Sequence, residues 1–158
     1  MKNYFYHTEQ FLPIKINTAW DFFSSPKNLS TLTPPELDFK ILTDLKDNEF
    51  YKGMLIDYKL KPLLGIPVHW QTEIIEVDKP EKFIDKQLKG PYKIWEHTHI
   101  FIQQDNGVLM KDHLKYALPF GIIGEMAHFV LIKRKIENIF IYRKEILKKI
   151  FNHADTTN

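Results

Sequence analysis

One change of hydrophobic period divides this sequence and fixes most of what it can fold into. Between Tyr4 and Leu118, apolar and polar residues alternate in short runs separated by turn residues. After Pro119-Phe120-Gly121 the apolar spacing changes to three and four and holds over residues 122–151. That run places Ile122, Met126, Phe129, Ile132, Ile136, Ile139, Phe140, Ile146, Leu147 and Ile150 on one stripe. At ~1.5 Å rise per residue the helix it predicts is roughly 45 Å long, enough to cross a sheet. Its apolar stripe must be covered, and the strands that precede it are the available partner.

The alternating part predicts seven strands, at 4–12, 39–43, 54–62, 68–77, 82–89, 92–103 and 108–118. Their breakers are Pro13, Asp47-Asn48, the segment 62–67 with Gly65, Asp78-Lys79-Pro80 and Gly90-Pro91. Connections this short imply antiparallel hairpins, because parallel strands need long crossovers. Two short helices interrupt the strands after the first. One covers 19–23, capped by Asn17 or Thr18. The other covers 27–32 and opens at Ser25-Pro26. The expected layout is α+β: a curved seven-stranded antiparallel sheet, two short helices after strand one, and the long C-terminal helix over the concave face. Residues 1–152 form one domain in this reading, and 153–158 a polar tail.

The last hairpin carries the chemistry. Asn106-Gly107 lies between two alternating runs, the strongest short-range hairpin signal. A turn there sets Phe101 opposite Asp112, His99 opposite Leu114, His97 opposite Tyr116 and Trp95 opposite Leu118. Alternation puts these eight residues on one face. Glu96, Thr98, Ile100, Lys111, His113, Lys115 and Ala117 take the other, more charged face. Polar groups on an apolar inner face are costly unless paired, so this face predicts a pocket wall. Parity in the other strands adds Tyr58, Trp70, Asp85 and Gln87. His69 and His113 point outward, and His7 is ambiguous.

The charge balance excludes several classes. The chain has 158 residues, 22 basic against 20 acidic, a net of +2, and no cysteine. That gives no basic face for nucleic acid, no disulfide and no thiolate chemistry. The start lacks a charged segment followed by an apolar one, and no apolar run approaches the ~20 residues of a membrane span. A cytoplasmic location follows as the expectation. The helix carries seven cations, at Lys133-Arg134-Lys135, Arg143-Lys144 and Lys148-Lys149, against Glu125, Glu137 and Glu145. They read as a solvated face, or as a transient membrane-surface contact. Arg143 differs: its spacing from Ile136 and Ile139 can bring it near the cavity.

Several segments resemble a bacterial subgroup of the helix-grip, Bet v 1/START-like (SRPBCC) superfamily, which includes the polyketide cyclase/dehydrase type. They are Asn28-Leu29 with Thr33-Pro34-Pro35-Glu36-Leu37-Asp38-Phe39, and Gly90-Pro91-Tyr92 with Trp95, His97, His99 and Phe101. Asp112-His113-Leu114-Lys115-Tyr116-Ala117-Leu118-Pro119-Phe120-Gly121 and Ile139-Phe140-Ile141-Tyr142-Arg143 complete the match. The subgroup is often labelled "cell division inhibitor", a role for which the sequence offers no reason. The resemblance implies the α+β helix-grip architecture and a cavity for a hydrophobic or amphipathic small molecule such as a lipid, quinone or polyketide. It implies no particular reaction.

Four readings of the polar set stay open. It is a satisfied structural network, or a recognition wall for a mostly apolar ligand. It is an acid–base set in which His97 or His99 is the base, Asp112 or Asp85 fixes its tautomer and Tyr116 polarises a carbonyl. Or His97, His99 and a carboxylate hold a metal. No third histidine is placed, so no metal or cofactor is expected. The residues expected at the ligand are Tyr58, Trp70, Asp85, Gln87, Trp95, His97, His99, Phe101, Asp112, Tyr116, Met126 and Arg143. The expected function is that of a carrier or sensor; the alternative is a cyclase, dehydratase or hydrolase. Nothing in the sequence sets the oligomeric state.

Overall fold

The computed structural model describes residues 2–46 and 50–152. The breaker at Asp47-Asn48 and the tail at 153–158 lie outside the described residues. The described strands are β1 (Tyr4–Leu12), β2 (Lys40–Ile41), β3 (Leu55–Leu63), β4 (Ile66–Asp78), β5 (Lys82–Lys89), β6 (Ile94–Gln104) and β7 (Gly107–Ala117). They form one antiparallel sheet in the order β1-β7-β6-β5-β4-β3-β2. Register shifts at Leu60/Leu63, Gln71/Thr72 and Ile74/Glu76 mark bulges in β3–β5, and bulges bend and twist a strand. The sheet therefore curves, and its concave face takes the helices.

Between β1 and β2 run α1 (Ile16–Phe23), a 3-10 turn at Pro26–Asn28, α2 (Leu29–Leu32) and a second 3-10 turn at Pro35–Leu37. Helix α1 starts three residues earlier than its apolar run suggests. Lys15 is its extended N-cap, with no side-chain cap, so Asn17 and Thr18 sit inside the helix rather than capping it. Its buried Trp20 meets Phe50, Phe83 and Phe101 edge-on, which anchors α1 over β5 and β6.

The hairpin register differs from the sequence expectation by two residues. Gln104 pairs with Gly107, so the turn is Asp105-Asn106. Trp95 lies opposite Tyr116, His97 opposite Leu114, His99 opposite Asp112 and Phe101 opposite Met110. Gly107 is not the φ > 0 turn residue; it opens β7 where a Cβ would stand 2.3 Å from the Leu12 carbonyl oxygen. The glycine serves close packing of β7 on β1. A slip of two leaves every side chain on its expected face. Accordingly His97, His99, Phe101, Asp112, Leu114 and Tyr116 are all buried.

The C-terminal helix is α3 (Gly121–Ala127), a π-helical stretch at His128–Ile132 and α4 (Lys133–Phe151). Its second half follows expectation in part: Ile136, Phe140 and Leu147 are buried, as are Phe151 and Arg143, Ile139 and Ile146 are half-buried, and Ile150 is exposed. Its first half does not. The inward positions are Gly124, His128 and Ile132, spaced by four. The wider π turn holds that spacing on one face, which rotates the expected stripe outward. Ile122, Met126 and Phe129 are 78%, 66% and 71% exposed. Gly124 is required for the approach, since a Cβ there would lie 2.2 Å from the Pro119 carbonyl oxygen.

Two apolar clusters fill the space under the helix. One joins α1, β5, β6 and β7 to Leu147 and Phe151. The other joins Leu114 and Tyr116 of β7 to Ile132, Ile136 and Phe140. Arg143 comes between them on the helix, and the polar set meets it there.

Candidate functional site

Arg143 reaches down from α4 to the sheet, where its Nη2 lies 3.5 Å from Asp112 Oδ1. Asp112 comes from β7, and both imidazoles from β6 close on it. His97 Nε2 donates to Asp112 Oδ1 at 2.8 Å. His99 Nδ1 is 3.2 Å from the same oxygen, and its Nε2 donates to Asp85 Oδ2 at 2.8 Å. Asp85 stands on β5 across from His97 and is 3.9 Å from His97 Nδ1. The two rings lie 3.8 Å apart, centroid to centroid. Strand alternation supplies this geometry: residues 97 and 99 share a face, and β5 and β7 flank them with one carboxylate each.

The environment divides the two histidines. Burial and then the charge of His99 hold His97 below its ordinary pKa; the Asp112 contact offsets this only partly. Burial works against a proton on His99 as well, but the two carboxylates beside it, Asp112 and Asp85, outweigh it and raise its pKa. Burial pushes the Asp112 carboxyl up, yet Arg143 and the two imidazoles together hold it well below the usual carboxylate range. The neutral form of His97 and the protonated form of His99 are thus the ones the fold stabilises.

This cluster forms the polar wall of a cavity of about 150 Å³ between the sheet and α4. Asp85, His97 and Arg143 face it on one side, and Tyr58, Leu60, Trp70, Tyr92, Trp95, Ile136 and Phe140 surround the rest. The segment between α1 and β2 borders it with Leu29, Leu32, Leu37 and Phe39. A smaller space of about 60 Å³ adjoins it beneath α2 and reaches His99 and Phe83. Leu29, Leu32, Tyr58, Asp85 and Arg143 border both. Inside, Tyr58 and Thr72 share a hydrogen bond of 2.5 Å and Trp70 donates to Thr72 at 3.1 Å, so the polar tips of Tyr58 and Trp70 are satisfied. Burial raises the phenols of Tyr58 and Tyr92, which stay neutral.

The structure brings Tyr58, Trp70, Asp85, Trp95, His97, His99 and Arg143 of the expected set to these two spaces. Asp112 stands behind the histidines. Phe101 packs on Trp20 and Phe23 in the core below α1. Gln87 is spent on the backbone: its amide donates to the Tyr92 carbonyl at 2.7 Å and its oxygen faces the Tyr92 N–H. Tyr116 turns away from the cavity to His128, with its hydroxyl 2.8 Å from Nε2, and burial pushes its pKa up to about 12. Met126 is exposed on the helix exterior, because the π turn rotates it out.

Two residues escaped the sequence reading. Tyr92 lies on the wall and packs on Trp95 at 4.6 Å. Its parity is opposite to that of Trp95, but β6 begins only at Ile94 and the bend at Gly90-Pro91 removes Tyr92 from the alternation. His128 hides at a position that an unbroken helical period assigns to the surface.

No family model matches the sequence, and no curated protein does. Solved structures do match in shape. A START superfamily protein from Mycobacterium smegmatis has TM-score 0.67 at 11% identity, over 95% of this chain and 98% of that one. A Thalictrum norcoclaurine synthase, solved with a transition-state analogue, has TM-score 0.64 at 14% identity, over 94% and 96%. The di-domain ARO/CYC protein StfQ of the steffimycin biosynthetic pathway has TM-score 0.70 at 10% identity, over 98% of this chain and 53% of that one. The fold is thus the helix-grip fold that these proteins share. Identities this low establish the fold and leave the site to be read from its own residues.

The histidine pair gives a direct check on the site. In ¹⁵N-resolved imidazole spectra, His99 should hold its proton above pH 6.5 and His97 should lose its proton below it. The stability signs are opposite. The contribution of His99 is fully present below its unfolded pKa and is lost as pH rises through its folded value. That of His97 is lost as pH falls from its unfolded value. Both rings titrating together near their ordinary value, or in reverse order, would contradict this assignment.

Proposed function

We propose that the protein is a cytoplasmic carrier or sensor of a hydrophobic or amphipathic small molecule held in the cavity between sheet and C-terminal helix. The observation that carries this reading is a space between sheet and helix with an aromatic and aliphatic lining and one charged wall. Ligand sites combine a mostly apolar surface with a few fixed polar groups. The charged wall orients an oxygen-bearing head, and Tyr58, Trp70, Tyr92 and Trp95 pack on a ring. Space of this size holds a six-membered ring rather than an extended acyl chain, which favours a quinone-like or polyketide-like head over a saturated lipid. In the enzymatic alternative Tyr116 polarises the substrate carbonyl; it faces His128 instead, so the acid–base set is not assembled with that residue and the geometry supports recognition better.

The outer surface suggests where such a ligand is exchanged. Phe120, Ile122, Ile123, Met126, Phe129 and Val130 are all between 66% and 81% exposed, and contiguous apolar surface of this kind marks an interaction site. Lys133, Arg134 and Lys135 follow it directly. Leu64 and Ile66, also exposed, adjoin Leu63, which packs on the Ile132–Ile136 cluster. Apolar residues bordered by cations fit an anionic lipid surface. No helix among the described residues is long and apolar enough to cross a membrane. The membrane contact proposed here moves from the basic second half of the helix, where the sequence put it, to its apolar first half.

Each proposal has its own test. Calorimetric titration with a 1,4-naphthoquinone probe should give saturable binding, and filling the cavity by Ile136→Trp should weaken it at least tenfold while the fold is kept. No binding heat, or undiminished binding in that variant, would count against the cavity reading. Flotation with phosphatidylglycerol-containing vesicles should recover the protein at low salt, and Ile123→Asp with Phe129→Asp should abolish recovery. A protein that never floats, or a variant that floats equally well, contradicts the membrane contact.

A further inference from the structure

Asp85 and the two histidines present three donor atoms to one point. His99 Nε2 and Asp85 Oδ2 are 2.8 Å apart, and His97 Nδ1 and Asp85 Oδ2 are 3.9 Å apart. All three atoms lie within 4.8 Å of one another. Ligands held tetrahedrally at about 2.1 Å from a zinc ion sit about 3.4 Å apart. The two distances to Asp85 fall on either side of that value, and side-chain rotations bring the three atoms to it. We propose that Asp85, His97 and His99 form a site for a divalent transition metal of the zinc class, with a fourth position open to the cavity.

Three further features support it. The first is how the histidines are held. Each turns its remaining nitrogen to Asp112, His97 Nε2 at 2.8 Å and His99 Nδ1 at 3.2 Å. A carboxylate on the far nitrogen fixes the ring and raises its basicity as a ligand, and metal-bound histidines almost always have such a partner. Here one carboxylate faces both rings, hydrogen-bonded to His97 and 3.2 Å from His99 Nδ1 without a hydrogen bond, and Arg143 holds it from the helix. The second is charge. Metal ligation requires both imidazoles neutral; Asp85 and Asp112 then stand with the one guanidinium of Arg143, and the bound cation takes the place of the proton that the two carboxylates otherwise hold on His99. The third is position. Asp85 lines both the larger and the smaller space, so the open coordination position meets whatever fills the cavity. An oxygen with negative character, such as an enolate, phenolate or carboxylate, would complete the coordination beside Arg143. The sequence expectation of no metal rested on the lack of a third histidine; the fold brings the Asp85 carboxylate of β5 to that place.

The site stands whether or not the cavity carries a quinone-like ligand. It is tested with metal alone, on the full chain. The exposed His7/His113 pair, with rings 4.6 Å apart on the outer sheet face, can bind metal at the surface; His113→Gln removes it and serves as the reference protein. Titrated with Co²⁺, that protein should develop the visible d–d bands of a four- or five-coordinate ion at one equivalent. Zn²⁺ should displace them. Asp85→Asn and His97→Gln should each abolish the bands, and Asp112→Asn should weaken Co²⁺ affinity about 10–100-fold while keeping them. Absence of d–d bands in the reference protein overturns the proposal without recourse to any variant. Bands that survive in Asp85→Asn overturn it too. Naphthoquinone binding measured in chelator separates this outcome from failure of the cavity reading.

Discussion

The buried ion pair between Arg143 and Asp112 is the interaction on which the rest of the site depends. Both side chains are almost fully enclosed, at 10% and 6% exposure. A charge so placed must be paired and hydrogen-bonded, and breaking such a pair by removing one partner costs about 3–5 kcal/mol. The pair ties the middle of α4 to β7, between two apolar clusters that would otherwise set the helix position alone. It also fixes Asp112 where its Oδ1 atom meets both imidazoles. From there the consequences run outward: His97 turns Nδ1, and His99 turns Nε2, toward Asp85. The polar wall of the cavity is therefore an outcome of helix docking.

The cavity itself follows from two mismatches. A bulged, curved sheet cannot meet a straight helix along its whole length. The short helices between β1 and β2 fill part of the gap with Leu29, Leu32 and Leu37, and the aromatic wall fills another part. What remains is a mostly apolar space. The first half of the C-terminal helix resolves its own mismatch differently. The π turn directs Gly124, His128 and Ile132 inward, and so leaves six large apolar side chains outside. Stability alone does not account for that exposure, which is why a lipid surface is the partner proposed for it.

Much of this was legible in the sequence because both periods are strong. Alternation in β6 and β7 placed His97, His99, Asp112, Leu114 and Tyr116 on the inner face, and helical spacing placed Ile136, Phe140 and Leu147 under the helix. What was lost lay where the period breaks. The turn was read at Asn106-Gly107 because that dipeptide favours a tight hairpin; packing of β7 on β1 uses the glycine instead. The change of register by two spared the face but exchanged every partner, bringing His99 rather than Phe101 opposite Asp112. Tyr92 fell before the strand, and the π turn carried Met126 out and His128 in. Gln87 had the right parity, but the backbone of the β5–β6 connection claimed its amide. None of these local exceptions has a signal in hydrophobic spacing.

A double-mutant cycle across the central ion pair tests this account most directly. Asp112→Asn, Arg143→Met and the double variant would be compared with the parent by urea unfolding at pH 7. If the pair organises the site, each single change leaves a buried partner uncompensated and the double variant recovers part of the loss, with a coupling of at least about 1.5 kcal/mol. Losses that add to within about 0.5 kcal/mol would show that the two residues act independently. The polar wall would then owe its geometry to something other than the docking of the helix.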